Sequence, residues 1–172
     1  MMKVLRGIAI LVLLFLINSV ARAQEAAPAQ ESDAALEIRQ VCFNSACYQV
    51  EVADTCISRA KGLKSRKVLP SGQGMLFVFE AVGPHGMWMQ RTLIPLDIIW
   101  LDNNRKVLHI ENAVPPCTKE PCTIYNPEVP ARFALELNAG EAQSLSLKPG
   151  DQFTFDFQPK PAAAAPCQVR ER

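Results

Sequence analysis

Apolar and polar side chains alternate through much of the middle of the chain. Tyr48, Val50 and Val52 alternate with Gln49 and Glu51; Phe133, Leu135 and Leu137 alternate with Ala134 and Glu136; Phe153, Phe155 and Phe157 alternate with Thr154 and Asp156. Successive side chains of a strand point to opposite faces, so each segment predicts a strand with one buried face. Leu108 and Ile110 flank His109 in the same way. Met75 to Phe79 and Ile98 to Leu101 are unbroken apolar runs, the pattern of strands buried on both faces. Pro70-Ser71-Gly72, Gly83-Pro84, Asp102-Asn103-Asn104, Pro115-Pro116 and Pro149-Gly150 separate these segments as turns. One segment reads as helix: Thr55 supplies an N-cap, and Ile57, Ala60 and Leu63 recur at helical spacing. Short strands with one short helix predict a mainly β domain, a compact antiparallel β-sandwich or barrel.

The ends of the chain carry a different pattern. Lys3 and Arg6 precede an apolar run from Ile8 to Ile17, and Ala21-Arg22-Ala23 supplies small residues around a cleavage position. This is the grammar of a signal peptide over residues 1–23. The run is shorter than the roughly 20 apolar residues of a membrane span, and an uncleaved anchor is the alternative. No cysteine follows it, so a lipoprotein anchor is not indicated. Residues 24–37 read as a flexible lead, 38–158 as the folded domain, and 159–172 as a Pro/Ala-rich tail. The formal charge of +1 becomes −2 once Lys3, Arg6 and Arg22 leave with the signal. That balance argues against a nucleic-acid partner, which selects a clear basic excess. The expectation is an exported monomer, periplasmic or secreted in a bacterium, with no membrane span after cleavage.

Export changes the meaning of the six cysteines, because oxidising compartments favour disulfides. Cys42-Phe43-Asn44-Ser45-Ala46-Cys47 reads as a hairpin turning at Asn44-Ser45. Cys42 and Cys47 then face each other at a non-hydrogen-bonded pair, about 4.5 Å apart at Cα, within bonding reach. Cys117 and Cys122 form a second loop of the same spacing. Cys56 and Cys167 remain, and pairing them would tie the tail to the helix start. No C-x-x-C is present, so a thioredoxin-type redox motif is absent.

A longer set of residues carries a family resemblance. It comprises Val52-Ala53-Asp54-Thr55, Arg59, Gly62-Leu63, Leu69-Pro70 and Gly74-Met75-Leu76-Phe77-Val78-Phe79. It continues with Trp88-Met89, Thr92 and Ile94-Pro95-Leu96-Asp97-Ile98-Ile99. It closes with Tyr125, Ala131-Arg132-Phe133, Leu135-Glu136-Leu137-Asn138-Ala139-Gly140 and Pro149-Gly150-Asp151. In order and spacing this closely resembles the family called DUF192, uncharacterised protein family UPF0127, across about residues 48–157. The resemblance implies a compact, mainly β domain, often exported behind a signal peptide or anchor in bacteria. It implies no reaction. Members often read Gly-Leu-Met where this chain has Gly62-Leu63-Lys64, and Trp-Met-Lys-Asn-Thr where it has Trp88-Met89-Gln90-Arg91-Thr92.

Candidate chemistry concentrates in few residues. Asp97 interrupts the apolar stretch from Leu93 to Leu101. A buried carboxylate must meet a cation, meet N–H donors or keep its proton, and Arg91 and Arg132 are the candidate cations. One reading makes Asp97 a general acid/base with Glu136 as the second carboxylate. The favoured reading has Asp97 locking the turn after Pro95 through backbone hydrogen bonds. Alternation places Glu136 on a solvated sheet face, unless the sheet is covered on both sides. His85, Met87 and Met89 carry imidazole and thioether ligands that suit copper, although the two Met also read as core filler. Arg59, Lys61, Lys64, Arg66 and Lys67 form a basic run that suits a phosphate or glycan carboxylate, or merely a solvated helix face. Trp88 and Trp100 suggest a sugar-stacking pair, against a reading as core.

No G-x-S-x-G, phosphate-cradling Gly loop or H-E-x-x-H is present, and the chain has only two histidines. The sequence therefore favours a non-enzymatic binding or accessory module of the cell envelope, with no cofactor, for an unknown small molecule or envelope component. Its expected contact surface is a cleft around Trp88, Arg91, Asp97, Arg132 and Glu136. A small hydrolase or transferase using Asp97 and Glu136, and periplasmic copper handling by His85, Met87 and Met89, are the alternatives.

Overall fold

The structure, a computed structural model, describes residues 35–159. The signal peptide, most of the flexible lead, nearly all of the tail and Cys167 lie outside the described residues. Among the described residues nine strands and two short helices follow in order: β1 (Ile38–Phe43), β2 (Ala46–Ala53), α1 (Cys56–Lys61), β3 (Gln73–Gly83), β4 (Met87–Trp88), β5 (Leu96–Leu101), β6 (Val107–Val114), β7 (Ile124–Tyr125), β8 (Ala131–Asn138), α2 (Glu141–Ser144) and β9 (Thr154–Phe155). Seven strands form one curled sheet in the order β6-β5-β8-β3-β2-β1-β9, a half-barrel; β4 and β7 form a small separate sheet. The architecture is mainly β, as the alternation predicts.

The segment just before β9, residues 150–153, ties the two edges of the curl together. Val107 donates to the Asp151 carbonyl at 2.7 Å, Gly150 to the Val107 carbonyl at 2.8 Å, and Phe153 to the Arg105 carbonyl at 3.0 Å. Lys106 and Gln152 form an antiparallel bridge between them. These bonds engage backbone groups that an open edge would leave exposed. They also explain why the Phe153-Phe155-Phe157 alternation gives a strand of only two residues: the segment divides its pairing between β6 and β1.

Two expectations need correction. The sheet is mixed, because β2 and β3 pair in parallel, Val50 opposite Gly74 and Val52 opposite Leu76. Residues 54–72 separate them, enough chain for the crossover a parallel pair requires. The described residues also hold two helices rather than one. The single turn α2 is too short to show a helical period, and Gly140 before it adopts φ 91°, which reads as a turn.

The hairpin β1–β2 follows its predicted register, with Cys42 opposite Cys47, Phe43 opposite Ala46, and Asn44 at positive φ. The Cys42 and Cys47 sulfurs lie 2.05 Å apart, and those of Cys117 and Cys122 lie 2.11 Å apart. Cys56 is also disulfide-bonded. Such bonds fit an oxidising environment. Among the described residues, no helix is long and apolar enough to cross a membrane.

Both faces of the sheet are covered. One apolar cluster fills the inside of the curl: Val41, Val50, Leu76, Ile99, Phe133, Leu135, Leu137 and Phe153. A second lies on the outer face: Leu63, Met75, Phe77, Phe79, Met87, Met89, Ile98, Trp100 and Ala134. The residues covering this outer face come from α1, the loop after it and the region around β4. Two-sided cover is why β5, β8 and the Gly74–Phe79 stretch of β3 are buried almost throughout, the condition read from Met75–Phe79 and Ile98–Leu101.

Candidate functional site

The outer layer leaves a cleft of about 350 Å³ between α1, the turn into β4, and the sheet. A volume of that size suits a small organic molecule. Its apolar walls include Leu63, Phe77, Phe79 and Met87; Trp88 and Lys64 stand at its edge, and Glu136 and Thr92 lie inside.

Local sequence chemistry builds each wall. Helix α1 starts in a capping box: Thr55 Oγ1 accepts from Ser58 N at 3.1 Å, and Ser58 Oγ accepts from Thr55 N at 2.9 Å. Gly62 ends the helix at φ 51°, a conformation that favours glycine, and turns Leu63 into the cleft wall. Arg59 pins the helix to the sheet. It donates to the Asp54 and Val78 carbonyls at 2.9 Å each and to Glu80 at 2.6 Å. Arg66 holds the following loop through a bidentate pair with Glu51, at 2.5 and 2.7 Å. That Arg66 hydrogen bonding holds the Glu51 carboxyl below its ordinary range, against a smaller opposing effect of burial.

The opposite wall hangs on Trp100. Its indole Nε1 donates to the His85 carbonyl at 2.8 Å, and the His85 ring stacks on Phe79 with centroids 3.8 Å apart. This fixes the segment leading into β4, where Trp88 pairs with Ile124 of β7. Trp88 is 45% exposed, and Lys64 Nζ lies 5.8 Å from its ring centroid.

Glu136 is the central group. It pairs with Met75 of β3 and Ile98 of β5, both in the outer-face cluster, so its side chain shares their side of the sheet. It is 4% exposed, and among the described residues no hydrogen bond or ion pair engages its carboxyl. Burial pushes that carboxyl up to about 8. At neutral pH it is mostly an uncharged acid with an O–H to donate. The close approach of β3 to β8 here depends on Gly74, where an added Cβ would sit 2.6 Å from the Glu136 carbonyl oxygen. The expectation of a solvated face for Glu136 is overturned by the cover on the outer face.

Asp97 lies elsewhere. It pairs with Leu137, on the inner face, and is 0% exposed. Its Oδ1 accepts from Ala113 N at 2.7 Å and its Oδ2 from Ala142 N at 2.8 Å. It thus joins an irregular stretch of β6 and the start of α2 to β5, rather than locking the turn after Pro95. Neither Arg91 nor Arg132 forms its ion pair among the described residues. The paired-carboxylate site is not assembled.

The remaining candidates separate in the same way. Arg91 is exposed, at φ 58°, and is not among the cleft-lining residues. Arg132 is buried over the Phe133 ring, and burial first, then Arg59, lowers its pKa. Trp100 is fully buried and makes no stacking pair with Trp88 at a surface. His85 and Met87 line the cleft, but the His85 Nε2 is held 2.8 Å from the Ala81 carbonyl. Met89 is buried and borders a separate hollow of about 190 Å³ with Pro116 and Tyr125, so the three copper ligands do not converge there. Cys117, Glu120 and Cys122 come within 4.8 Å of one another, but the joined sulfurs offer no thiolate.

The cleft also contains residues not singled out by type. Leu63, Phe77 and Phe79 read in the sequence as core positions of a helix and a buried strand, and Thr92 only as a member of the motifs carrying the family resemblance. Arg59, Lys61 and Lys64 of the basic run line the cleft, while Arg66 serves the loop.

The fold and cleft define a small β domain with a charged-edged apolar site. The chain belongs to the DUF192 family, described as an uncharacterized ACR, whose model matches residues 38–155. It is 30% identical over 125 residues to a UPF0127 protein of Thermococcus gammatolerans, covering 70% of this chain and 74% of that one. It is 29% identical over 112 residues to a UPF0127 protein of Pyrococcus horikoshii, covering 62% of this chain and 87% of that one. These sequence relatives are archaeal and give the expected bacterial source no support. Two crystal structures are similar. One is a protein of unknown function from Novosphingobium aromaticivorans, with TM-score 0.64, 31% identity, and coverage of 80% of this chain and 99% of that one. The other is a proposed transcription regulator from Sinorhizobium meliloti, with TM-score 0.66, 29% identity, and coverage of 72% and 98%.

Proposed function

We propose that the protein is an exported binding module whose site is the Glu136 cleft, and that its ligand is a small molecule. The observation that carries this reading is a nearly buried acid without a partner among the described residues, placed inside an open apolar cleft. Buried polar groups normally find a hydrogen-bond partner, and one left for a ligand marks a site. The described residues lining the cleft offer no second carboxylate and no free thiol beside Glu136, which favours binding over catalysis. Export is supported by the signal-peptide pattern of residues 1–23 and by the two cysteine pairs at bonding distance.

A thermal-shift screen of a chemically diverse small-molecule library tests the reading. It compares the wild type with Ala60→Trp, which places an indole into the cleft from α1. Compounds that stabilise the wild type but not the variant support the cleft as the site. No stabilising compound, or equal stabilisation of both, contradicts it.

A further inference from the structure

The charges around the cleft are unevenly distributed. Arg59 is matched by Glu80, and Lys61 lies close enough to Glu51 to lower its pKa. Lys64 gives one hydrogen bond, to the Ala60 carbonyl at 2.8 Å, and among the described residues no carboxylate pairs with it. An ammonium has three donors, so Lys64 keeps donor capacity at the cleft edge beside the half-exposed Trp88 ring.

The inner end of the cleft has the opposite character. Glu136 has Met75 and Ile98 as its sheet neighbours, and neither carries charge. The charged and titratable groups that line the cleft with it are Arg59 and Lys61 from α1, Lys64 after it, and His85 before β4. An uncharged acid inside and cations outside leave the cleft net positive, which disfavours an ammonium ligand and favours an anion. The walls between them are Leu63, Phe77, Phe79 and Met87, which suit a ring or short hydrocarbon body.

We infer that the cleft takes a small organic anion with a ring or short hydrocarbon body, its anionic group at Lys64 and a neutral oxygen accepting from the Glu136 carboxylic acid. This rests on the cleft being the binding site. The arrangement reads both ends of the ligand. A cation at the inner end would need Glu136 ionised, and an anion held there instead of at the edge would give up its hydration in the apolar interior of the cleft.

The test uses 4-methoxybenzoate, 4-methoxybenzamide and 4-methoxybenzylamine. These share a ring and an ether oxygen and differ in the charge of the outer group. Binding to the purified protein is followed by tryptophan fluorescence and by calorimetry at pH 7 and pH 9. The expected result is tightest binding of the benzoate, weakened several-fold by Lys64→Ala and by added salt. With Glu136 titrating near 8, the fraction able to donate falls about tenfold from pH 7 to pH 9, and affinity falls with it. Glu136→Gln keeps a neutral donor, so it should bind the benzoate with that pH dependence flattened.

Preferred binding of the amine, equal binding of benzoate and benzamide, or a wild-type affinity unchanged between pH 7 and 9 would overturn this ligand class. If none of the three binds, the class also falls. The cleft reading then stands or falls separately, on whether Ala60→Trp blocks compounds found in the thermal-shift screen.

Discussion

Asp97 and Glu136 sit one register position apart on the neighbouring strands β5 and β8 and face opposite sides of the sheet. Asp97 pairs with Leu137 toward the inner core, and Glu136 pairs with Ile98 toward the outer cleft. Two carboxylates that look like partners in the sequence therefore have separate tasks. Asp97 satisfies two backbone N–H groups, whereas Glu136 is left to the cleft.

Removing Asp97 should damage the fold and leave cleft chemistry alone. Asp97→Ala strips the acceptors from Ala113 N and Ala142 N, both close to the buried carboxylate. An orphaned buried donor costs about 1–3 kcal/mol, a penalty that falls in full on the buried Ala142 N–H and in part on that of the exposed Ala113. A loss of roughly 1–4 kcal/mol is expected in urea unfolding. Asp97→Asn should also destabilise, since its amide presents a donor where two donors already converge. A variant as stable as wild type would refute this role.

Glu136 should make stability depend on pH in a definite direction. Its folded pKa is raised to about 8 from the ordinary carboxyl value of 4.5. Below the unfolded value both states are protonated and the group contributes no difference. Between the two values the folded state holds a proton that the unfolded state has lost, so stability falls as pH rises, with a limiting slope of about 1.4 kcal/mol per pH unit. Glu136→Gln removes this slope. Urea unfolding of both proteins from pH 5 to pH 8.5 should show the two curves diverging as the wild type weakens. Parallel curves would mean that the carboxyl is not held neutral.

The two tryptophans should answer differently to solvent. Trp88 is half-exposed at the cleft, and Trp100 is sealed in the outer-face cluster with its Nε1 bonded to the His85 carbonyl. Acrylamide should quench one emitting population readily and the other poorly. Trp88→Phe should remove the accessible population at little cost in stability. Trp100→Phe should remove the protected one and cost about 1–3 kcal/mol through the lost hydrogen bond and packing. Equal quenching of both rings would contradict the placement of the His85 segment.

The hairpin disulfide should contribute through the unfolded chain. Cys42 and Cys47 close a short loop, for which the chain-entropy estimate is about 2 kcal/mol. Replacing both by alanine should lower the unfolding midpoint while preserving the β1–β2 pairing, which Val41, Tyr48 and Val50 also anchor in the inner core. An unchanged midpoint would remove the disulfide from the stability account.

What could be read from the sequence depended on the range of the interaction involved. The Cys42–Cys47 register, the Thr55 cap and the doubly buried β3 and β5 are encoded by residues a few positions apart, and the local pattern carries them. The parallel pairing of β2 and β3 was not legible, because it is made by a crossover whose course depends on Arg59 and Arg66 finding Glu80 and Glu51 across the fold. Glu136 shows the same limit at the site. Alternation placed it opposite Leu135 and Leu137 correctly, but only the packing of α1 and the β4 region reveals that this face is covered. Asp97 was readable as a buried group needing partners; that those partners are Ala113 and Ala142 follows from an irregular β6 and a one-turn helix that leave no periodic trace.

The most direct test of the cleft as a binding site is a two-dimensional NMR titration of the isotope-labelled protein with the compounds that stabilise it thermally. The account predicts saturable shift changes clustered at Leu63, Lys64, Phe77, Trp88, Thr92 and Glu136, with the inner-face residues Val50, Ile99 and Asp97 unmoved. Shifts clustered at another surface, or scattered over the sheet without saturation, would contradict it.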